Sequence, residues 1–219
     1  MVYDPKRHHR RSIRLKGYDY SQAGLYFITF CVQNRVHLFG HIEKSIMCLN
    51  ALGSIAYQEW ERSILVRKNI SLGAFIVMPN HLHGIVQIEH SLLEDKSGIG
   101  KFQSPSQTVG AIVRGYKGAA TKKIKEYLLS TGELQCRGEL QCRNELQCRG
   151  ELQFAPTLQF ISTDLTVPIN PQALQTINFN KSIWQRNYYE HIIRDQRAYN
   201  NISNYIDNNP QKWEQDKFS

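Results

Sequence analysis

Ala74-Phe-Ile-Val-Met-Pro-Asn-His-Leu-His-Gly-Ile-Val-Gln-Ile88 decides the fold class. Ala74–Met78 is a short apolar run that reads as a buried strand, and Pro79-Asn80 is a turn pair that ends it. His81–Ile88 then returns as its hairpin partner. Working outward, Leu25-Tyr-Phe-Ile-Thr-Phe-Cys-Val32 is rich in aromatic and β-branched residues and predicts another strand. Leu49, Leu52, Ile55, Ala56, Trp60 and Ile64 recur at helical spacing, which predicts a helix over about Ser45–Ile64. Thr108–Leu129 reads as a basic amphipathic helix, and Ile183–Ile193 alternates as a strand. Asp195 can cap a last helix that ends before Pro210. The stretches Ser91–Gln107 and Ala155–Asn178 carry weak patterns and read as loops. The order βαββαβ plus one more helix predicts an α+β fold: a ferredoxin-like, RRM-like split βαβ sandwich, an antiparallel sheet with helices on its faces.

The chain has 219 residues, 41% of them hydrophobic, which suits one domain with appendages or two small domains. Its longest near-apolar run, Leu25–Val32, falls far short of the ~18 residues of a bilayer span, and no apolar stretch follows the basic N-terminus as in a secretory signal. Lys and Arg number 27 against 19 Asp and Glu, for a net charge of +8. The excess is concentrated. Lys6, Arg7, Arg10, Arg11, Arg14 and Lys16 face one acid, Asp4, in the first sixteen residues, and Arg114, Lys117, Lys122, Lys123 and Lys125 form a second cluster. Such clusters suit a polyanionic partner, because each phosphate neutralised releases a counterion; a solvated basic surface is the alternative.

Of the five cysteines, Cys136, Cys142 and Cys148 lie in tandem hexapeptides, Glu133-Leu-Gln-Cys-Arg-Gly138, Glu139-Leu-Gln-Cys-Arg-Asn144 and Glu145-Leu-Gln-Cys-Arg-Gly150, followed by Glu151-Leu-Gln-Phe154. Their even spacing matches neither the paired cysteines of a zinc site nor a disulfide framework, so the chain reads as reduced and cytosolic. The hexapeptides read as a flexible insertion in a surface loop, the other reading being a short solenoid. The expected division is a basic N-terminal arm at 1–24, one domain built from 25–130 and 179–213, and a low-complexity, repeat-containing insertion at 131–178.

His81 and His83, two apart on a strand, project from one sheet face and can begin a divalent-metal site. Two hydrogen-bonded histidines on a half-buried face is the alternative. Tyr205 and Asn209, at i and i+4, share a helix face that Ile202 and Ile206 turn toward the sheet. An amide oxygen there can complete a metal site beside a phenol able to attack a phosphate ester. A helical tyrosine can equally be a packing residue.

Met78-Pro-Asn-His-Leu-His-Gly84, Trp184-Gln-Arg-Asn-Tyr-Tyr-Glu-His-Ile-Ile-Arg-Asp195 and Tyr205-Ile-Asp-Asn-Asn-Pro210 together resemble the REP-associated tyrosine transposases. These are a branch of the IS200/IS605-like (Y1) transposases among the HUH single-strand nucleases. Gly17-Tyr-Asp-Tyr-Ser21 and Gly24-Leu-Tyr-Phe-Ile-Thr29 are similar to the same group. The resemblance implies an IS200-type transposase fold, with His81, His83 and Asn209 as ligands of Mg²⁺ or Mn²⁺ and Tyr205 as the nucleophile. Cleavage would leave a 5′-phosphotyrosine and a free 3′-OH. His191 is expected to be structural, or to orient a group beside the site.

The expected partner is single-stranded or hairpin-forming repeat DNA, with no membrane, in a monomer or homodimer located in the bacterial cytoplasm and nucleoid. Phosphate contacts are expected from Arg10, Arg11 and Arg14 of the arm and from Lys117 and Lys122 of the basic helix. Tyr188 and Tyr189 are candidates for base stacking, with core packing the equal alternative for one of the two. The leading function is therefore a metal-dependent single-stranded DNA nuclease and strand transferase. A domesticated, catalytically idle binder of structured DNA is the alternative. An RNA-binding module shares the expected topology, but the chain has no RNP1-like motif.

Overall fold

β1 (Gly24–Cys31) runs through the middle of the sheet because both its edges are paired. It lies antiparallel to β5 (His81–Ile88) on one side and to β7 (Tyr189–Ile193) on the other. The computed structural model describes residues 18, 22–89, 108–133, 161–163 and 167–216. In chain order the other elements are β2 (Gly40–Glu43), β3 (Ile46–Leu49), α1 (Ala51–Glu61), α2 (Ser63–Val66), β4 (Ile70–Val77), α3 (Val109–Ser130), β6 (Ile161–Thr163), α4 (Pro171–Thr176) and α5 (Gln196–Asp207). A 3-10 turn, Pro210–Gln215, follows α5. The main sheet has the order β4-β5-β1-β7, all antiparallel, which is the split-βαβ arrangement. A smaller sheet has the order β2-β3-β6, with β6 parallel to β3. No helix of the described residues is long and apolar enough to cross a membrane.

The sheet's two faces take different partners. Leu82, Gly84 and Val86 of β5, with Phe30 and Ile28 opposite them on β1, face α1 and α3. Trp60 of α1 lies so close to β5 that a Cβ at Gly84 would stand 2.6 Å from its indole Cζ2, so only glycine fits there. Tyr116 of α3 donates to the Ala56 carbonyl of α1 at 3.0 Å and packs its ring against Phe30, tying the two helices over a fully buried aromatic core. The opposite face carries His81, His83, Phe27 and Thr29, and α5 packs across it against β4 and β5. Asp195 caps α5 as expected, accepting from the Ala198 N–H at 2.7 Å.

Three expectations need correction. The helix expected over Ser45–Ile64 begins at Ala51, because Asn50 caps it by accepting from the Gly53 N–H at 2.9 Å. Residues 46–49 instead form β3, with Met47 and Leu49 buried and Ile46 and Cys48 outward. The strand expected over Ile183–Ile193 is regular only from Tyr189; before it, the Gln185 and Asn187 carbonyls turn to Lys117 Nζ, at 2.9 and 3.1 Å, rather than to a neighbouring strand. The stretch Ala155–Asn178, read as loop, holds β6 and α4. Asn170 and Pro171 start α4, and Ala173 and Ile177 join the core. The stretch Ser91–Gln107 and nearly all of the hexapeptide run lie outside the described residues.

Candidate active site

β5 delivers both histidines to the α5 face. The strand's period of two sends His81 and His83 the same way, and both are buried. Their Nε2 atoms lie 3.0 Å apart. Each Nδ1 has its own partner. Asn80 Oδ1 is 2.8 Å from His81 Nδ1, and the Asn80 amide is held by donating Nδ2 to the Arg35 carbonyl at 3.1 Å. A carbonyl oxygen only accepts, so His81 carries its proton on Nδ1 and turns a lone pair on Nε2 toward His83. Thr29, directly opposite His83 on β1, places Oγ1 at 2.6 Å from His83 Nδ1. If Thr29 Oγ1 accepts from Nδ1–H, His83 also presents an Nε2 lone pair. Two buried imidazole lone pairs at this distance suit one shared cation.

α5 brings in the second set of groups. Tyr205 is on its last turn, and its phenol oxygen is 3.2 Å from His83 Nε2 and 3.3 Å from Asp216 Oδ2. Asn209 lies just beyond the helix yet keeps αR geometry, so the i, i+4 relation with Tyr205 persists. Its Nδ2 donates to Asp216 Oδ2 at 2.9 Å, while its Oδ1 is buried without a hydrogen-bond partner. A buried carbonyl oxygen without a hydrogen-bond partner, in the cleft that His83 lines, suits a bound cation, as does the Asp216 carboxylate, which groups with both histidines at metal-binding spacing.

The cleft, about 470 Å³, is lined by Phe27, Thr29, His83, Tyr189, Tyr205 and Asn209 and by Lys212, Gln215 and Asp216 of the C-terminal segment. Phe27 stacks on His83 and meets the Tyr205 and Tyr189 rings edge-on. Trp213 lies flat over His81, with ring centroids 6.0 Å apart, and also meets His37, whose pKa burial lowers. Burial, and then the negative charge and hydrogen bond of Asp216, push the Tyr205 phenol up to about 12, against a smaller opposing effect of the Asn209 hydrogen bond. The phenol is therefore neutral at neutral pH.

The structure thus brings His83, Tyr205 and Asn209 into one cleft, with His81 Nε2 3.0 Å from His83 Nε2. Lys117 and Lys122 lie elsewhere, on α3 across the sheet. Lys117 turns inward over the Phe30 and Tyr188 rings and gives its protons to backbone carbonyls, and burial lowers its pKa to about 8. Lys122 lines an open basic groove of about 1210 Å³ with Arg114, Lys125, Lys181 and Arg186. His191 is exposed on β7 opposite Phe27 and does not line the cleft. Arg10, Arg11 and Arg14 lie outside the described residues. Sequence reading missed Thr29, Asn80, Trp213 and Asp216. Of these, only Asn80 carried a local signal, as a turn residue.

No protein-family model matches the chain. An uncharacterized protein of Haemophilus influenzae is 34% identical over 222 residues, spanning 98% of this chain and 96% of its own length. Among solved structures, the chain is similar to a REP-associated tyrosine transposase bound to a REP hairpin, with 16% identity, a TM-score of 0.48 and coverage of 94% of this chain and 77% of that one. It is also similar to a candidate transposase from Deinococcus radiodurans R1, with 13% identity, a TM-score of 0.39 and coverage of 90% and 97%.

Proposed function

The chain belongs to the same family as the Haemophilus influenzae protein, and from its site geometry we propose that it is a metal-dependent single-stranded DNA nuclease and strand transferase, a transposase acting on hairpin-forming repeat DNA. One observation carries this reading. A tyrosine hydroxyl reaches to 3.2 Å from His83 Nε2, itself 3.0 Å from His81 Nε2, across 122 positions of sequence. A packing tyrosine needs no such neighbour. A nucleophile for phosphoryl transfer does.

His81 Nε2, His83 Nε2 and Asn209 Oδ1 would hold Mg²⁺ or Mn²⁺, with the Asp216 carboxylate in reach, and this charge would stabilise the negative charge that develops on the phosphate oxygens. Tyr205 attacks the phosphorus. Its proton passes to Asp216 Oδ2, 3.3 Å away, the oxygen to which the phenol already donates. The bond from phosphorus to the 3′-oxygen breaks, and that oxygen leaves with a proton from solvent as a 3′-OH. The 5′-phosphate stays on Tyr205. Attack by a 3′-OH on the phosphotyrosine reverses the step and joins strands without ATP. Tyr189, 40% exposed at the cleft, offers a stacking face to an unpaired base.

The groove formed by Arg114, Lys122, Lys125, Lys181 and Arg186 supports a polyanionic partner. The arm residues Arg10, Arg11 and Arg14 are proposed to add phosphate contacts. Lys117, with its ammonium engaged by two carbonyls, is a weaker candidate for that role. Asp216 favours the second reading, an idle binder of structured DNA, because one carboxylate oxygen engages both the nucleophile and Asn209.

Incubating the protein with a labelled single-stranded hairpin oligonucleotide separates the two readings. The nuclease reading expects cleavage that requires Mn²⁺ or Mg²⁺ and disappears in His81→Ala, with hairpin binding retained because phosphate and shape contacts dominate affinity. Binding with no cleavage under any divalent ion would favour the idle binder.

A further inference from the structure

Outside the cleft, among the described residues, one cluster of unlike donors converges. It sits on the β2–β3 hairpin of the small sheet. His41 and Cys48 are directly opposite each other in the register, and Glu43 is two residues on from His41, so all three share one face. The register is pinned at the turn, where Lys44 and Ser45 both adopt positive φ, 49° and 65°, closing the hairpin with two residues. Burial fixes which face points out: Met47 and Leu49 fill the core, so Cys48 turns away from it. The ligand atoms of His41, Glu43 and Cys48 all lie within 4.8 Å of one another, and His41 Nε2 is 3.8 Å from Glu43 Oε2.

We propose that His41, Glu43 and Cys48 form a second metal site, one that takes a zinc-class ion rather than the hard ion of the cleft. Imidazole, thiolate and carboxylate together are a donor set for Zn²⁺, whereas a thiolate is a poor ligand for Mg²⁺. With Zn–N and Zn–O near ~2.0–2.2 Å and Zn–S near ~2.3 Å, ligand atoms around one tetrahedral ion sit roughly 3.3–3.8 Å apart. The observed spacing needs only small rotations, and the exposed side chains of His41 and Glu43, at 52% and 60%, are free to make them. Three protein ligands leave a fourth position for water. Binding displaces the Cys48 thiol proton to solvent, so affinity rises with pH. An ion held here bridges β2 to β3 through side chains, beside the existing backbone ladder. This site does not depend on the proposed nuclease activity.

Cobalt(II) is the probe, added to the full-length reduced protein. The expected result is a thiolate-to-cobalt charge-transfer absorption that Zn²⁺ abolishes by displacement. That absorption is lost in Cys48→Ser and kept in His81→Ala. In His41→Ala the affinity should fall by more than about tenfold, since losing even a residue that only orients a ligand costs about 10–100-fold. Far-UV circular dichroism checks that each variant is folded. Every other cysteine remains in Cys48→Ser, so an undiminished band there would assign it to those thiols and overturn the proposal. So would the absence of any thiolate band in the native protein. A band lost in His81→Ala instead would place the soft ion in the cleft and equally overturn it.

Discussion

Asn80 governs which nitrogen of His81 faces His83. Its amide is clamped between the Arg35 carbonyl and the imidazole, so the ring keeps one tautomer and one rotation. Asn80→Ala should weaken Mn²⁺ binding by about 10–100-fold while leaving hairpin affinity unchanged, read by calorimetric titration of the metal. Undiminished metal affinity would mean that the stacked Trp213 alone holds the ring. In the sequence, Asn80 was visible only as the second residue of a turn, because asparagine serves turn geometry and imidazole orientation equally well. The two histidines were legible because a strand's period of two needs no tertiary information. Asp216 was not, since the 3-10 turn that swings it back to Tyr205 leaves no spacing to count.

At the level of elements, the order of strands and helices in the main sheet followed from apolar patterning, and the misreadings have local causes. Leu49 fits both a strand's alternation and the helical series that follows, so periodicity alone carried α1 back through β3; the Asn50 cap marks the true start. Lys117 likewise has a structural role that its sequence context does not show. In the sequence it is one cation among five on a basic helix, but in the fold it pins the segment before β7 to α3. Burial lowers its pKa from 10.5 to about 8, partly opposed by Cys31. Between those two values the native side chain is neutral while the unfolded chain still holds the proton, so its contribution to stability rises with pH. Denaturant unfolding of the native protein and Lys117→Met should therefore diverge from pH 8 to pH 10.5 in favour of the native protein. A constant difference across that window would mean that the ammonium is not desolvated.

For the whole molecule, we propose the division into a basic arm, one catalytic domain and a repeat-bearing insertion, with one adjustment. The insertion's C-terminal part belongs to the domain, because β6 pairs with β3 and Ala173 and Ile177 are in the core. Low-complexity composition hid this, since a three-residue strand and a six-residue helix are too short for periodicity to register. The repeat, expected from its composition to be a loop insertion, lies almost wholly outside the described residues. Deleting Glu139–Gly150, two complete hexapeptides, should change unfolding free energy by less than about 1 kcal/mol, because loop-closure entropy varies only slowly with length. The deletion should also leave hairpin cleavage intact. A large loss of stability would show that the repeats pack on the domain.

The central claim is that Tyr205 carries the DNA, and identifying the covalently modified residue tests it most directly. Native protein and Tyr205→Phe are each incubated with Mn²⁺ and a hairpin oligonucleotide, denatured, digested and mapped by mass spectrometry. The expected result is a single 5′-phosphotyrosyl peptide containing Tyr205 in the native protein and no adduct in Tyr205→Phe. Tyr199→Phe, altered six residues earlier on α5, should retain the adduct. An adduct that persists in Tyr205→Phe on another tyrosine, or native protein that cleaves with none at all, would contradict the account.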